Sequence, residues 1–303
     1  MTRIGLLLAA ACLQPPAAQA QSDGLQPVPE NTQKITDVDP ALWVLRDDDT
    51  TVYLFGTVHV LRPGLGWFDD GVKVAFDKSD TLVLEMIEPS ATEAAAVMAD
   101  LSIDKTGRTI RQKLGAEDLI AYEAAVAKLG LAHADMDRQD GWAVAINLYY
   151  AGLLQKGYDL TSGVEVQLKA AASASRKPIT GLETMRFQLS IFDNLPENVQ
   201  IDYVRSTVTS IDEIAPQTDR LVELWATADT DGVATLMNEG FEALKLTEVL
   251  LTRRNANWAS WINQRMAKPG TVFMAVGAGH LAGPASVQHL LTAYGLNTEQ
   301  VRY

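Results

Sequence analysis

Thr51-Val52-Tyr53-Leu54-Phe55-Gly56-Thr57-Val58-His59 decides how this chain is read. It opens as a β-prone apolar run and closes on Gly-x-x-His. A second copy of the pattern, Gly277-Ala278-Gly279-His280, follows the apolar run Thr271 to Val276. The spacing predicts a strand ending at each motif. In α/β proteins, ligands bind in loops at the carboxyl ends of strands. A glycine there is expected to let the backbone turn sharply, with the histidine three residues on reaching the crevice. The chain has four histidines, and two of them stand in this context. Imidazole is both a common metal ligand and the usual proton carrier near neutral pH.

Two further strands are predicted to end in carboxylates. Thr81-Leu82-Val83-Leu84-Glu85 is a continuous apolar run, as in a buried central strand. Lys177-Pro178-Ile179-Thr180-Gly181-Leu182-Glu183 reads as a shorter one. Ala41 to Arg46 and Thr51 to Phe55 are expected to pair through a turn at Asp47-Asp48-Asp49. Between Glu85 and Lys177 the pattern is helical: Ala91 to Leu101, Arg108 to Leu114, Glu117 to Leu129, Gln139 to Gln155 and Val164 to Ser175. Trp142, Ile146, Tyr149 and Leu153 share one face. Four more helical stretches are expected between Met185 and Met266, with Pro196 and Pro216 in first turns and a break at Gly240. Pro284 is read as opening the last helix, and Asn297 to Tyr303 as an edge strand. The fold class is therefore α/β: central β-sheet strands flanked by helices, with a long helical insertion.

The N-terminus reads as a secretory signal over residues 1–20. Arg3 supplies the charge, Ile4 to Leu13 the apolar stretch, and Ala18-Gln19-Ala20 a small-x-small cleavage site. Residues 21–40 carry Pro27, Pro29 and Pro40 and read as a linker, leaving 41–303 as one domain. No apolar run is long enough for a transmembrane helix. Cleavage after Ala20 would remove Cys12, the single cysteine, and with it any disulfide, thiolate ligand or cysteine nucleophile. A net charge of −13 argues against nucleic acid and anionic membrane surfaces as partners.

Four ionisable groups thus end apolar strands: His59, Glu85, Glu183 and His280. If the strands are neighbours, all four open into one crevice. Two imidazoles with one or two carboxylates suit Zn²⁺, Mn²⁺, Co²⁺ or Fe²⁺. The competing reading is a set of capping and hydrogen-bonding residues. Arg253-Arg254-Asn255, ahead of Trp258 and Trp261, is either a solvated helix face or a guanidinium aimed at the crevice. Glu88-Pro89-Ser90 reads as a helix cap, and His133 and His289 as ordinary residues. No Gly-x-Ser-x-Gly elbow is present. Gly277 to Gly283 lacks the spacing of a dinucleotide fingerprint.

Taken in order, these segments resemble the TraB/GumN family, which includes the Tiki metalloproteases and the pheromone-shutdown proteins of bacterial plasmids. The resemblance runs from Leu42 to the C-terminus. It is carried by Leu42-Trp43, Tyr53 to Val60, Leu82 to Glu85, Gly181-Leu182-Glu183-Thr184 with Gln188, Arg253-Arg254-Asn255 with Trp258, and Ala275 to Gly283. It implies a fold related to the erythromycin esterases and the haem-uptake protein ChaN. It also implies a divalent-metal site (Mn²⁺, Co²⁺ or Zn²⁺) with His59 and His280 as ligands and Glu85 as ligand or general base. Glu183 is then a third ligand or a group behind the ligands, and Arg254 and Asn255 orient substrate or an oxyanion. One departure stands out: Gly163-Val164-Glu165 replaces the family's Gly-apolar-Asp, leaving Glu165 a capping or ligand role, or none. The expected function is a periplasmic or secreted metal-dependent hydrolase, a peptidase acting on a peptide or small-molecule substrate. The alternative is a protein of the same fold that sequesters such a molecule without turnover.

Overall fold

A computed structural model describes residues 35–159, 161–244 and 246–303. The signal-peptide reading and most of the linker lie outside these residues. In chain order the strands are β1 (Thr36–Asp37), β2 (Leu42–Arg46), β3 (Thr50–Thr57), β4 (Leu65–Gly66), β5 (Thr81–Met86), β6 (Ile179–Glu183), β7 (Gly270–Gly277) and β8 (Glu299–Gln300). Six form one mixed sheet in the order β6-β5-β7-β3-β2-β8, and β1 pairs with β4 apart from it. The four strands β6, β5, β7 and β3 run parallel, while β2 and β8 close the edge antiparallel. Parallel neighbours bring carboxyl ends to the same rim. The ends of β6, β5, β7 and β3 carry, in that order, Glu183, Glu85, the His280 loop and the His59 loop.

Alternation along the strands feeds two apolar layers. Phe55, Leu82, Leu84, Phe273 and Ala275 face one side, where Val72 and Phe76 of the helix Asp70–Lys78 and Leu168 of Val164–Ala174 cover them. Leu54, Val83, Met274 and Val276 face the other, against Trp258, Ala259 and Ile262 of Arg253–Arg265. A third core belongs to the helical insertion, where Trp142, Ile146 and Leu148 of Gly141–Gln155 meet Tyr203 and Val204 of Glu197–Thr209. Burial all round Gly141–Gln155 explains why its expected single apolar face is flanked by further buried residues.

Most expected elements stand within two or three residues of their predicted ends. The Asp47 turn forms, its carboxylate accepting the backbone N–H groups of Asp49 and Thr50 at 3.1 and 2.8 Å. Ser90 caps Ala91–Leu101 in a reciprocal box with Glu93. Three expectations are corrected. Gly240 does not break its helix, which runs from Thr230 to Leu244. Among the described residues, five α-helices, not four, lie between Met185 and Arg265, and a π-helical turn over Glu248–Thr252 leads into the last. Pro284 does not open the final helix; Ser286 does, its hydroxyl accepting the His289 N–H at 3.3 Å. Among the described residues, no helix is long and apolar enough to cross a membrane.

Candidate functional site

At the rim, Gly277 is the point on which the site converges. A Cβ there would lie 3.1 Å from Glu85 Oε1, 3.6 Å from His280 Cδ2 and 3.7 Å from His59 Nε2. The backbone N–H of Gly277 donates to Glu85 Oε1 at 2.7 Å. The glycine is thus demanded by crowding and not by the sharp turn expected of it: its φ is −49°. Gly56 likewise faces backbone, with Ala278 Cα 3.1 Å from where its Cβ would stand.

Each histidine is held by its Nδ1. Asn255 Nδ2 donates to Ala285 O at 2.7 Å, which turns the amide oxygen toward His280 Nδ1. His280 Nδ1–H therefore donates to Asn255, and its Nε2 keeps a lone pair. Burial, then the neighbouring Arg254 guanidinium, pulls His280 down to about 3 against the pull of Glu85, so the ring is neutral. On the other side, His59 Nδ1 lies 2.6 Å from Glu165 Oε1, which also accepts the Thr57 hydroxyl. Burial opposes protonation of His59, but the Glu165 carboxylate outweighs it and raises the imidazole above its ordinary value.

Glu165 reaches His59 because its helix starts against the histidine loop. Val164 N–H donates to Val58 O at 3.1 Å, and a Cβ on Gly163 would stand 2.2 Å from His59 O. The Gly163-Val164-Glu165 triplet was visible in the sequence. Its contact with His59 was not, because 106 positions separate the two side chains.

Arg254 ties the carboxylates together. Its Nη2 donates to Glu85 Oε2 at 2.5 Å and to Glu183 Oε2 at 2.8 Å; Nε reaches Glu183 Oε1 at 3.0 Å. Nη1 donates to Leu250 O and lies 3.1 Å from His280 Nε2. Glu183 also accepts Trp258 Nε1 at 3.1 Å and Gln188 Nε2 at 2.8 Å. The guanidinium is therefore buried in the site, which resolves the open choice for Arg254 against a solvated face. Burial pushes Glu85 upward, but Arg254 and the imidazoles bring it down to about 2.

All six sequence-selected residues, His59, Glu85, Glu183, Arg254, Asn255 and His280, come together. His133 does not: it pairs with Glu123 on the helical insertion, 2.8 Å away. His289 also lies elsewhere, in the last helix. The order of motifs and this constellation bear on ancestry, and the model of the TraB/PrgY/gumN family matches residues 41–300. The chain belongs to this family. Among the relatives of this TraB/PrgY/gumN member is the uncharacterized protein YbaP of Escherichia coli (strain K12), 22% identical over 253 residues, covering 83% of this chain and 92% of that protein. An uncharacterized protein of Treponema pallidum (strain Nichols) is 23% identical over 276 residues, covering 81% and 78%. No solved structure matches the chain.

The donors suit a borderline divalent cation in kind. Two imidazoles with anchored Nδ1–H groups present Nε2 beside an ionised carboxylate, the arrangement that orients metal-bound histidines. As placed, Arg254 takes the lone pair of His280 and one oxygen of Glu85. No trio of His, Cys, Asp or Glu among the described residues is set closely enough to hold an ion in that arrangement.

Proposed function

We propose that this chain is a hydrolase of peptide bonds that works with a divalent cation held by His59 Nε2, His280 Nε2 and Glu85. The observation that carries the reading is the convergence of these three groups on Gly277, with both Nδ1–H groups already committed to Glu165 and Asn255. When bound, the ion supplies Lewis acidity to the scissile carbonyl and acidifies a water. Glu165 and Asn255 fix the imidazole tautomers and ring orientations. Glu85 stays ionised far below neutral pH, which suits a charge-bearing donor better than a proton shuttle. Arg254 must release His280 to free its lone pair; its contacts with Glu183 keep the guanidinium at the site, where it meets a developing oxyanion. Glu183 serves as the anchor of Arg254. The leader expected over residues 1–20 assigns this activity to the periplasm or the medium.

The test is incubation of the protein, with and without Mn²⁺, with a complex peptide mixture, and mass spectrometry of the products. New termini that depend on Mn²⁺ and vanish in His59→Ala support the reading. Peptides bound but returned intact favour a sequestering protein instead.

A further inference from the structure

A pocket of ≈ 60 Å³ includes the site itself. It is lined by His59, Glu85 and His280 together with apolar side chains that come largely from the helical insertion, among them Leu221, Met237 and Leu251. Two hydroxyls of the lining are occupied within the protein. Tyr149 Oη lies 3.3 Å from Thr218 Oγ1, which itself donates to Ile214 O at 2.8 Å. Leu221, Met237 and Leu251 present carbon to a ligand group seated against them.

We infer that this cavity receives one aliphatic side chain of the substrate, that of Val, Leu, Ile or Met, next to the scissile bond. The inference rests on the hydrolase reading and adds a substrate class to it. Size carries it. A water needs about 10–15 Å³ of such space, so the pocket, shared with the site, takes at most roughly four to six heavy atoms. Leucine, isoleucine and methionine place four beyond Cα; phenylalanine places seven, and an engineered cavity that takes up benzene measures about 150 Å³. Charge agrees for acidic side chains, which would lose hydration against Leu221, Met237 and Leu251 and face the Glu85 carboxylate. Met237 sets the limit: its Cε lies 2.9 Å from where a Cβ on Gly279 would stand, so it packs over the second Gly-x-x-His loop.

The experiment is cleavage profiling of wild type and Met237→Ala on the tryptic peptides of a bacterial lysate with Mn²⁺, with melting curves to show that the variant folds. Wild type is expected to favour aliphatic over aromatic residues on one flank of the cut by about tenfold, and Met237→Ala to erase most of that preference. Cleavage beside aromatic residues as readily as beside aliphatic ones overturns the inference and leaves the hydrolase reading standing. If wild type cleaves nothing, the hydrolase reading falls. The same peptides passed over immobilised protein then judge the cavity: enrichment of aliphatic over aromatic peptides keeps it as a binding subsite, and equal retention overturns it.

Discussion

The backbone N–H of Gly277 donates to Glu85 Oε1 at 2.7 Å, binding the second Gly-x-x-His loop to the end of β5. A side chain on Gly277 would crowd that contact. Gly277→Ala would set a methyl 3.1 Å from the Glu85 carboxylate, so Glu85 must shift. The backbone there suits any residue, and the stability cost should be about 1 kcal/mol, at the low end for overpacking. Peptide cleavage should fall, by less than the roughly hundredfold that a displacement of about an ångström causes at a reacting centre. Steady-state kinetics beside urea unfolding check it; unchanged cleavage would refute the placement.

Glu165 is the second residue to probe. Glu165→Gln keeps an acceptor for His59 Nδ1–H but removes the charge. Loss of such a supporting group costs about 10–100-fold in metal affinity. Calorimetric titration with Mn²⁺ should show a loss in that range with the fold intact. Glu165→Gln binding as tightly as wild type would make the carboxylate a mere helix-start residue.

Arg254 neutralises two buried carboxylates, Glu85 and Glu183. Arg254→Met leaves both without their cation and should destabilise by about 3–5 kcal/mol. The double variant Arg254→Met with Glu183→Gln should recover part of the loss. Glu183→Gln alone should retain bound metal, because Glu183 anchors Arg254. Loss of metal in that variant would make Glu183 a ligand.

Far from the site, Lys113 is buried among Asp104, Asp140 and Glu197. Burial pushes Asp104 upward, but Lys113 and Thr106 outweigh it and hold the carboxyl well below its ordinary value. A depressed carboxyl contributes stability above its unfolded value of about 3.9 and loses it as pH falls below that. Burial pushes Lys113 down, but Asp104 and Asp140 outweigh it and raise the ammonium, so its share is full at neutral pH and fades only above its ordinary alkaline value. Lys113→Met should cost about 3–5 kcal/mol at pH 7. Urea unfolding should find a smaller gap from wild type near pH 3, and an equal gap would contradict the pairing.

Much of the site was legible because its residues end strands. Apolar runs closing on His59, Glu85, Glu183 and His280 carry their own contradiction: a polar group where burial is expected. Parallel pairing then places all four on one rim. Glu165 gave no such signal, since it sits in a helix first turn, where acidic residues are common for electrostatic reasons alone. The need for Gly277 was misread as a turn because crowding by Glu85 is a tertiary fact, invisible from neighbours in sequence. Gly240 misled in the opposite direction: a helix interior tolerates glycine at modest cost. Pro284 announced a helix that Ser286 caps two residues later.

The most direct test is elemental analysis of protein purified without chelator and equilibrated with Mn²⁺, Co²⁺ or Zn²⁺, in parallel with His59→Ala and His280→Ala. Wild type should retain about one ion per chain, and each variant, still folded by circular dichroism, should lose most of it. Equal metal in all three proteins, or none in wild type under any of these ions, would contradict a cation held at Gly277 by two imidazoles and Glu85.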